Sequence, residues 1–174
     1  MELRLLARDE IALVWTIDRR EVIDHVYYLR DGVLVLQPEH YDMQGWPPGE
    51  AEMYTPLLLA CYERGGVFTG AFDDATLAGV VVVDTVWRGP QRNLLQLEFL
   101  HVSRPYRGQG LGRRLFAHAQ AVASARGASG LYVSATPSEH TIHFYQRLGC
   151  QVIAEPDPEL FAREPEDIHL VCWR

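Results

Sequence analysis

The sequence predicts a mixed α+β fold, in which helices cover both faces of a central sheet that is mostly antiparallel and contains one parallel crossover. Three observations predict it. Several strand-like segments separated by turn formers precede residue 94, residues 94–135 run strand, glycine turn, amphipathic helix, strand, and two apolar segments close the chain. A strand returning parallel to its predecessor needs such a helical crossover, whereas short turns join antiparallel neighbours. At 174 residues and 48% hydrophobic content the chain fills one core, so 1–174 reads as a single domain.

Taken in order, residues 2–6 read as a short strand, and Asp9 is placed to cap a helix carrying Ile11, Leu13, Val14 and Ile17. Residues 20–30 alternate, Asp31-Gly32 is a hairpin turn because both residues tolerate positive φ, and residues 33–36 return. Residues 37–50, with Tyr41, Trp46, Pro47, Pro48 and Gly49, read as an aromatic loop that either covers the core or walls a pocket. Residues 48–64 have helical spacing, and Gly65-Gly66 ends them. Residues 66–72 and 77–87 are strands; the β-branched run Val80-Val81-Val82-Val83 suits one covered on both faces. Beyond residue 110, Leu111, Leu115, Ala119 and Val122 form one stripe, and residues 131–135 are a strand. Ser138 caps a helix bearing Thr141, Phe144, Tyr145 and Leu148, which Gly149 closes. Residues 150–154 and 167–173 pair antiparallel, and the acidic stretch 155–166 between them reads as a solvated loop.

Charge and composition exclude several functions. A net charge of −7 lacks the basic footprint of non-specific nucleic-acid binding and suits a cationic or neutral partner. Cys61, Cys150 and Cys172 are an odd number without CxxC spacing, which suggests neither a zinc site nor a disulfide framework and fits a reducing cytosol. No signal-like segment opens the chain, and no run of about 18 apolar residues crosses a membrane. The expectation is a cytoplasmic protein with no membrane, nucleic-acid or metal partner.

The most informative stretch is 94–115. An apolar strand enters a turn with Gly108, Gly110 and Gly112, and a helix starts directly out of that turn. Backbone N–H groups in a first helical turn lack intrahelical partners, and the helix dipole favours an anion there. Bare glycines let a diphosphate approach, and Arg107 adds a cation. A P-loop needs a Gly-Lys-Ser/Thr ending, and the chain has no lysine. A dinucleotide turn needs different glycine spacing and an acid ending the next strand, which Leu131-Tyr132-Val133-Ser134-Ala135 lacks.

Arg107-Gly108-Gln109-Gly110-Leu111-Gly112 instead resembles the Arg/Gln-x-x-Gly-x-Gly/Ala signature of the GNAT family of acetyl-coenzyme A dependent acyltransferases. The lead-in from Leu100 to Tyr106 matches, and a second family block, Asn-x-x-Ala-x-x-Phe-Tyr-x-x-x-Gly-Phe, has its counterpart from Ser138 to Cys150. Ser138, Thr141 and Cys150 depart from that block while its spacing is kept.

The resemblance implies a fold in which the fourth and fifth strands splay apart and the pantetheine arm of acetyl-CoA lies in the notch. Backbone groups of Leu100, His101 and Val102 would hold that arm. Arg107, Gly108, Gln109, Gly110, Leu111 and Gly112 would grip the diphosphate, and Ser138 occupies the family's Asn position. Tyr145 falls where the family often carries the tyrosine that protonates the departing thiolate. Glu98, on strict alternation, shares a face with Leu100 and Val102; a carboxylate in an apolar strand is either a general base or the partner of an arginine. His143 is an alternative base, and His140 and His101 read as structural or exposed. Residues 94–153 would bind acetyl-CoA, 1–93 would select the acceptor, and 154–174 would supply the last strand. The expected activity is N-acetylation of a primary amine on a small molecule or peptide N-terminus; the alternative is a CoA-binding sensor or interaction module with little catalysis. The aromatic N-terminal hairpin is free to line a pocket or a homodimer interface.

Overall fold

The computed structural model describes residues 1–174. In chain order its elements are β1 (Glu2–Leu5), a 3-10 helix (Arg8–Thr16), β2 (Glu21–Arg30), β3 (Val33–Met43), α1 (Glu50–Glu63), β4 (Val67–Asp73), β5 (Thr76–Arg88) and β6 (Leu94–Val102). A short 3-10 turn (Arg104–Tyr106) leads to α2 (Leu111–Ala125), β7 (Gly130–Ala135), α3 (Glu139–Arg147), β8 (Gln151–Val152), α4 (Pro158–Arg163) and β9 (Ile168–Trp173). Seven strands make one sheet in the order β1-β4-β5-β6-β7-β9-β8, with β6 and β7 parallel and every other pair antiparallel.

Apolar side chains on the two faces explain the layering. Leu95, Leu97, Leu131 and Val133 are buried beneath Leu115, Phe116 and Ala119 of α2 and Ile142 and Tyr145 of α3. On the opposite face Val80, Val82 and Phe99 pack with Ile11, Val14, Leu58 and Cys61, and Leu160 of α4 seals Leu94, Tyr132 and Val171. The expected mixed sheet, with helices on both faces, is therefore present. No helix is long and apolar enough to cross a membrane.

Two features of β6 position the site. Its parallel pairing with β7 runs only from Leu94 to Leu97, opposite Gly130 to Val133, so from Glu98 onward the two strands diverge. Its register with β5 slips at the same point: Val83 faces Leu97 and Val82 faces Phe99, which leaves Glu98 as the extra residue of a β-bulge. The bulge overturns strict alternation. Glu98 bonds to Gln96 and lies on the side of Phe99, while Leu100 and Val102 pack on the other side with α2 and α3.

Other departures have local causes. β3 continues to Met43, where a loop was expected, because its polar residues alternate along an exposed hairpin; Pro38 is tolerated beside a register shift at Ile23/His25. The β2–β3 hairpin stays outside the main sheet and docks on α3 through the Val26–Ser138 bridge and a Tyr27 N–H to Pro137 O hydrogen bond of 2.8 Å. Residues 155–166 are not simply a solvated loop: Asp157 caps α4 through the N–H groups of Glu159 and Leu160, and Leu160 is buried. Glu10 rather than Asp9 closes the first 3-10 helix, accepting the Ala7 N–H at 2.9 Å. Cys150 and Cys172, for which the odd count suggested no bridge, face each other across the start of β8 and are disulfide-bonded, leaving buried Cys61 free.

Candidate active site

The glycine turn is built as its sequence suggests. Gly108 and Gly110 have φ of 74° and 82°, values that an L side chain adopts only under strain, and open space lies where their Cβ atoms would stand. Gly112 is required for a different reason: a Cβ there would meet the Phe144 ring at 3.2 Å, so its absence lets α2 press against α3. The first backbone bond of α2 runs from Arg114 N–H to Gly110 O, so the N–H groups just before it, at the helix start, remain free for an anion. Arg107 is occupied otherwise. Its guanidinium donates to Val102 O at 2.9 Å, Arg20 O at 3.1 Å and Asp18 O at 3.5 Å, fastening the turn to the chain before β2. The Gln109 side chain folds back onto Pro105 O at 2.9 Å.

A cleft of about 1630 Å³ runs from this turn through the gap between β6 and β7 to the far face of the sheet. Leu100, His101, Val102, Arg107, Gly108, Gly110, Leu111, Gly112, Ser138, Glu98 and Tyr145 all line it, so the cleft brings together every predicted site residue except Gln109. Ser138 caps α3, accepting the Thr141 N–H at 3.3 Å. His101 sits between Phe99 and Trp46, and burial pushes its imidazole down to about 3, so it is neutral. His143 accompanies the hairpin instead: its Nε2 lies 2.8 Å from the Tyr27 hydroxyl, and it does not line the cleft.

Glu98 is the partner of an arginine, and it also lines the cleft. Arg163 Nη1 of α4 holds its Oε1 at 2.8 Å while the Gln96 amide donates to its Oε2. Gln96 is fixed in turn by buried Arg88, whose Nε donates to Gln96 Oε1 at 2.9 Å and whose Nη1 pairs with Asp157 and Glu159. Burial raises the Glu98 carboxyl above its ordinary range despite the opposing pull of Arg163. Tyr145 is buried against Phe116 and Phe144, and burial raises its phenol, which stays protonated at neutral pH.

Beyond the glycine turn the cleft is lined by acids that motif reasoning missed. Asp167 accepts the Ser134 hydroxyl at 2.8 Å, and burial pushes its carboxyl up to about 6. Tyr54 of α1 donates to Glu164, also raised by burial. Glu39 of β3 accepts from Tyr28 at 2.5 Å and Tyr41 at 2.6 Å, which hold it below its ordinary value. The Asp157-Pro158 pair ahead of Leu160 is the one local signal, a helix start, that brings residues 163–167 back to the sheet.

The acetyltransferase (GNAT) family model matches residues 34–150. No curated protein matches the chain. Among solved structures, the chain is similar to nourseothricin acetyltransferase, at 21% identity over 98% of each chain with a TM-score of 0.69. A candidate streptothricin acetyltransferase from Bacillus anthracis str. Ames, in complex with acetyl coenzyme A, is 17% identical over 98% of this chain and 96% of its own, with a TM-score of 0.70. PaiA N-acetyltransferase from Thermoplasma acidophilum, in complex with coenzyme A, is 16% identical over 99% and 98%, with a TM-score of 0.66. At these identities the likeness speaks for the fold. The family match runs from β3 to the residue before β8, enclosing the glycine turn and the strand gap, and on it the chain belongs to the acetyltransferase (GNAT) family.

Proposed function

We propose that the protein transfers the acetyl group of acetyl-CoA directly to a primary amine of a cationic small molecule or peptide N-terminus. One observation carries this reading: a single cleft joins an anion-binding backbone turn to a wall of carboxylates through a gap between parallel strands. The free N–H groups at the start of α2 take the diphosphate, and the unpaired edge of β6 at Leu100 to Val102 takes the pantetheine arm. Residues 94–153 thus serve the cosubstrate, while 1–93 and 154–174 shape the acceptor side.

An acceptor arriving as an ammonium must lose a proton before it attacks. Glu98, whose burial raises its proton affinity, takes that proton at the bulge where the gap opens. Tyr145, neutral and buried beside the gap, protonates the departing thiolate. The negative wall of Glu39, Glu164 and Asp167 favours a cationic acceptor over an anionic one. Two structural neighbours are named for nourseothricin and streptothricin, which makes nourseothricin a natural first acceptor to try, beside spermidine, amino acids and short peptides.

The test is thiol release from acetyl-CoA across that panel, with Tyr145→Phe beside the wild type. The expected result is acceptor-dependent release that falls about 30-fold in kcat in the variant, with the KM for acetyl-CoA changed less than about twofold. Binding of acetyl-CoA without release to any amine would favour a CoA-binding module instead.

A further inference from the structure

We propose that Asp167, aimed by Ser134, is a second catalytic carboxylate, which takes the second proton from the acceptor nitrogen and returns it to Tyr145. This rests on the acetyl-transfer reading and on Tyr145 as its acid. Forming an amide from an ammonium removes two protons from nitrogen. Glu98 takes the first and passes it to solvent. The amine then attacks the thioester carbon, giving an adduct with a positively charged nitrogen and a negatively charged oxygen. Asp167 removes the second proton from that nitrogen. As the C–S bond breaks, the thiolate takes the Tyr145 proton, and the proton on Asp167 restores the phenol. Acetyl-CoA and an ammonium become an acetamide, free thiol and one released proton, so the sequence balances.

The geometry separates the two carboxylates. The last β7–β9 pair is Ala135 with Ile168, so Asp167 stands at the end of β7 where the gap is open, and it lines the cleft. Ser134 Oγ donates to Asp167 Oδ2 at 2.8 Å, leaving the second carboxylate oxygen without a side-chain donor. Tyr145 is buried in one cluster with Ala135 and Ile168, the β7–β9 pair that Asp167 immediately precedes, and Tyr145 and Asp167 both line the cleft. Glu98, by contrast, has both oxygens engaged, one by Gln96 and one by Arg163.

Burial raises the proton affinity of Asp167, Ser134 lowers it, Glu164 raises it and Arg19 lowers it, while Tyr28 and His169 flank the same residue. The net value of about 6 keeps it ionised at neutral pH yet able to hold a proton in transit. Asp167 lies outside the span matched by the family model, so nothing in the family motif assigns it.

The experiment is kcat against pH for the wild type, Asp167→Asn, Ser134→Ala and Glu98→Gln, with acetyl-CoA and the better acceptor of nourseothricin and spermidine. Asp167→Asn is expected to lower kcat about 100-fold, leave acetyl-CoA affinity within about twofold, and lose the acid limb near pH 6. Ser134→Ala keeps the carboxylate but removes a hydrogen bond that favours its charged form, so its limb should move to higher pH with kcat down about fivefold. This milder variant also reports if Asp167→Asn folds poorly. An Asp167→Asn enzyme within about threefold of wild-type kcat, or one keeping the limb while Glu98→Gln loses it, overturns the inference and leaves acetyl transfer standing. A wild type that acetylates neither of these, nor any amino acid or short peptide of the wider panel, overturns both.

Discussion

The two ends of the cleft are made of different material. At the glycine turn the surface offered is backbone: Gly108 and Gly110 supply the conformation, Gly112 the close approach of α2 to α3, and free N–H groups the positive end of a dipole. Even Arg107 works there by fastening three carbonyls. At the opposite end the surface is made of side chains, and each acid has its own partner: Glu98 with Arg163, Asp167 with Ser134, Glu164 with Tyr54, Glu39 with Tyr28. A backbone site tolerates sequence change around it but not within its glycines. A side-chain site can be retuned one partner at a time, which suits the acceptor role proposed for this end.

The largest expected effect comes from the covalent cross-link, which belongs to neither end. Cys150 follows α3, Cys172 pairs with Leu131 at the end of β9 away from Asp167, and both are buried in the core. Replacing both by Ser is expected to lower unfolding stability by about 3 kcal/mol for a closed loop of this size, read as a drop in denaturation midpoint. Because the bridge touches neither end of the cleft, acetyl-CoA affinity and acceptor KM should each change less than threefold. Next comes Gly110→Val, which forces a β-branched residue to φ near 82° at the start of α2. Acetyl-CoA affinity, measured by calorimetry, should fall about 100-fold, whereas the pairing of Glu98 with Arg163 on the far face should survive.

The same contrast explains what the sequence made readable. The turn, its flanking strand and helix, and the Ser138 cap are contiguous, so short-range rules of φ, capping and periodicity reach them. Glu98 was nameable as the odd carboxylate in an apolar strand, but its face was not, because a one-residue bulge against β5 reverses the alternation and is fixed by pairing rather than by local pattern. Arg163 looked like a member of a solvated acidic stretch, and Asp167 like the first residue of an apolar strand. Only the docking of α4, driven by Leu160 and by the Arg88 network, turns Arg163 inward, and only the point where β7–β9 pairing stops sets Asp167 in the gap. The Cys150–Cys172 bridge depends on the register of β8 against β9, which sets Gln151 opposite Val171; the pairing of the two segments was legible, its register was not.

Arg163→Met probes one such partner. Burial already raises the Glu98 carboxyl, and Arg163 opposes that rise, so removing the cation must raise it further and shift the acid limb of kcat/KM for the acceptor to higher pH. At pH 7 the loss should be about tenfold and should shrink as pH rises, while Arg163→Lys restores most of it. A pH-independent loss would mean that Arg163 serves only to dock α4. Acetyl-CoA affinity is the control, and it should not move.

The smallest effect is expected where the β2–β3 hairpin meets α3. The Tyr27 hydroxyl lies 2.8 Å from His143 Nε2, and the Tyr27 N–H donates to Pro137 O at 2.8 Å. Tyr27→Phe removes the first bond and keeps the second, so stability should fall by only about 1 kcal/mol. The hairpin carries Tyr28 and Glu39 into the cleft, and its grip on α3 sets how closely they approach the acceptor. The acceptor KM should therefore rise two- to threefold with kcat and acetyl-CoA affinity unchanged. An equal change in acetyl-CoA affinity would mean that the hairpin also braces the cap of α3 at Ser138, whose bridge to Val26 adjoins this bond, and the division between a backbone end and a side-chain end would then have to be drawn one residue further into the cosubstrate half.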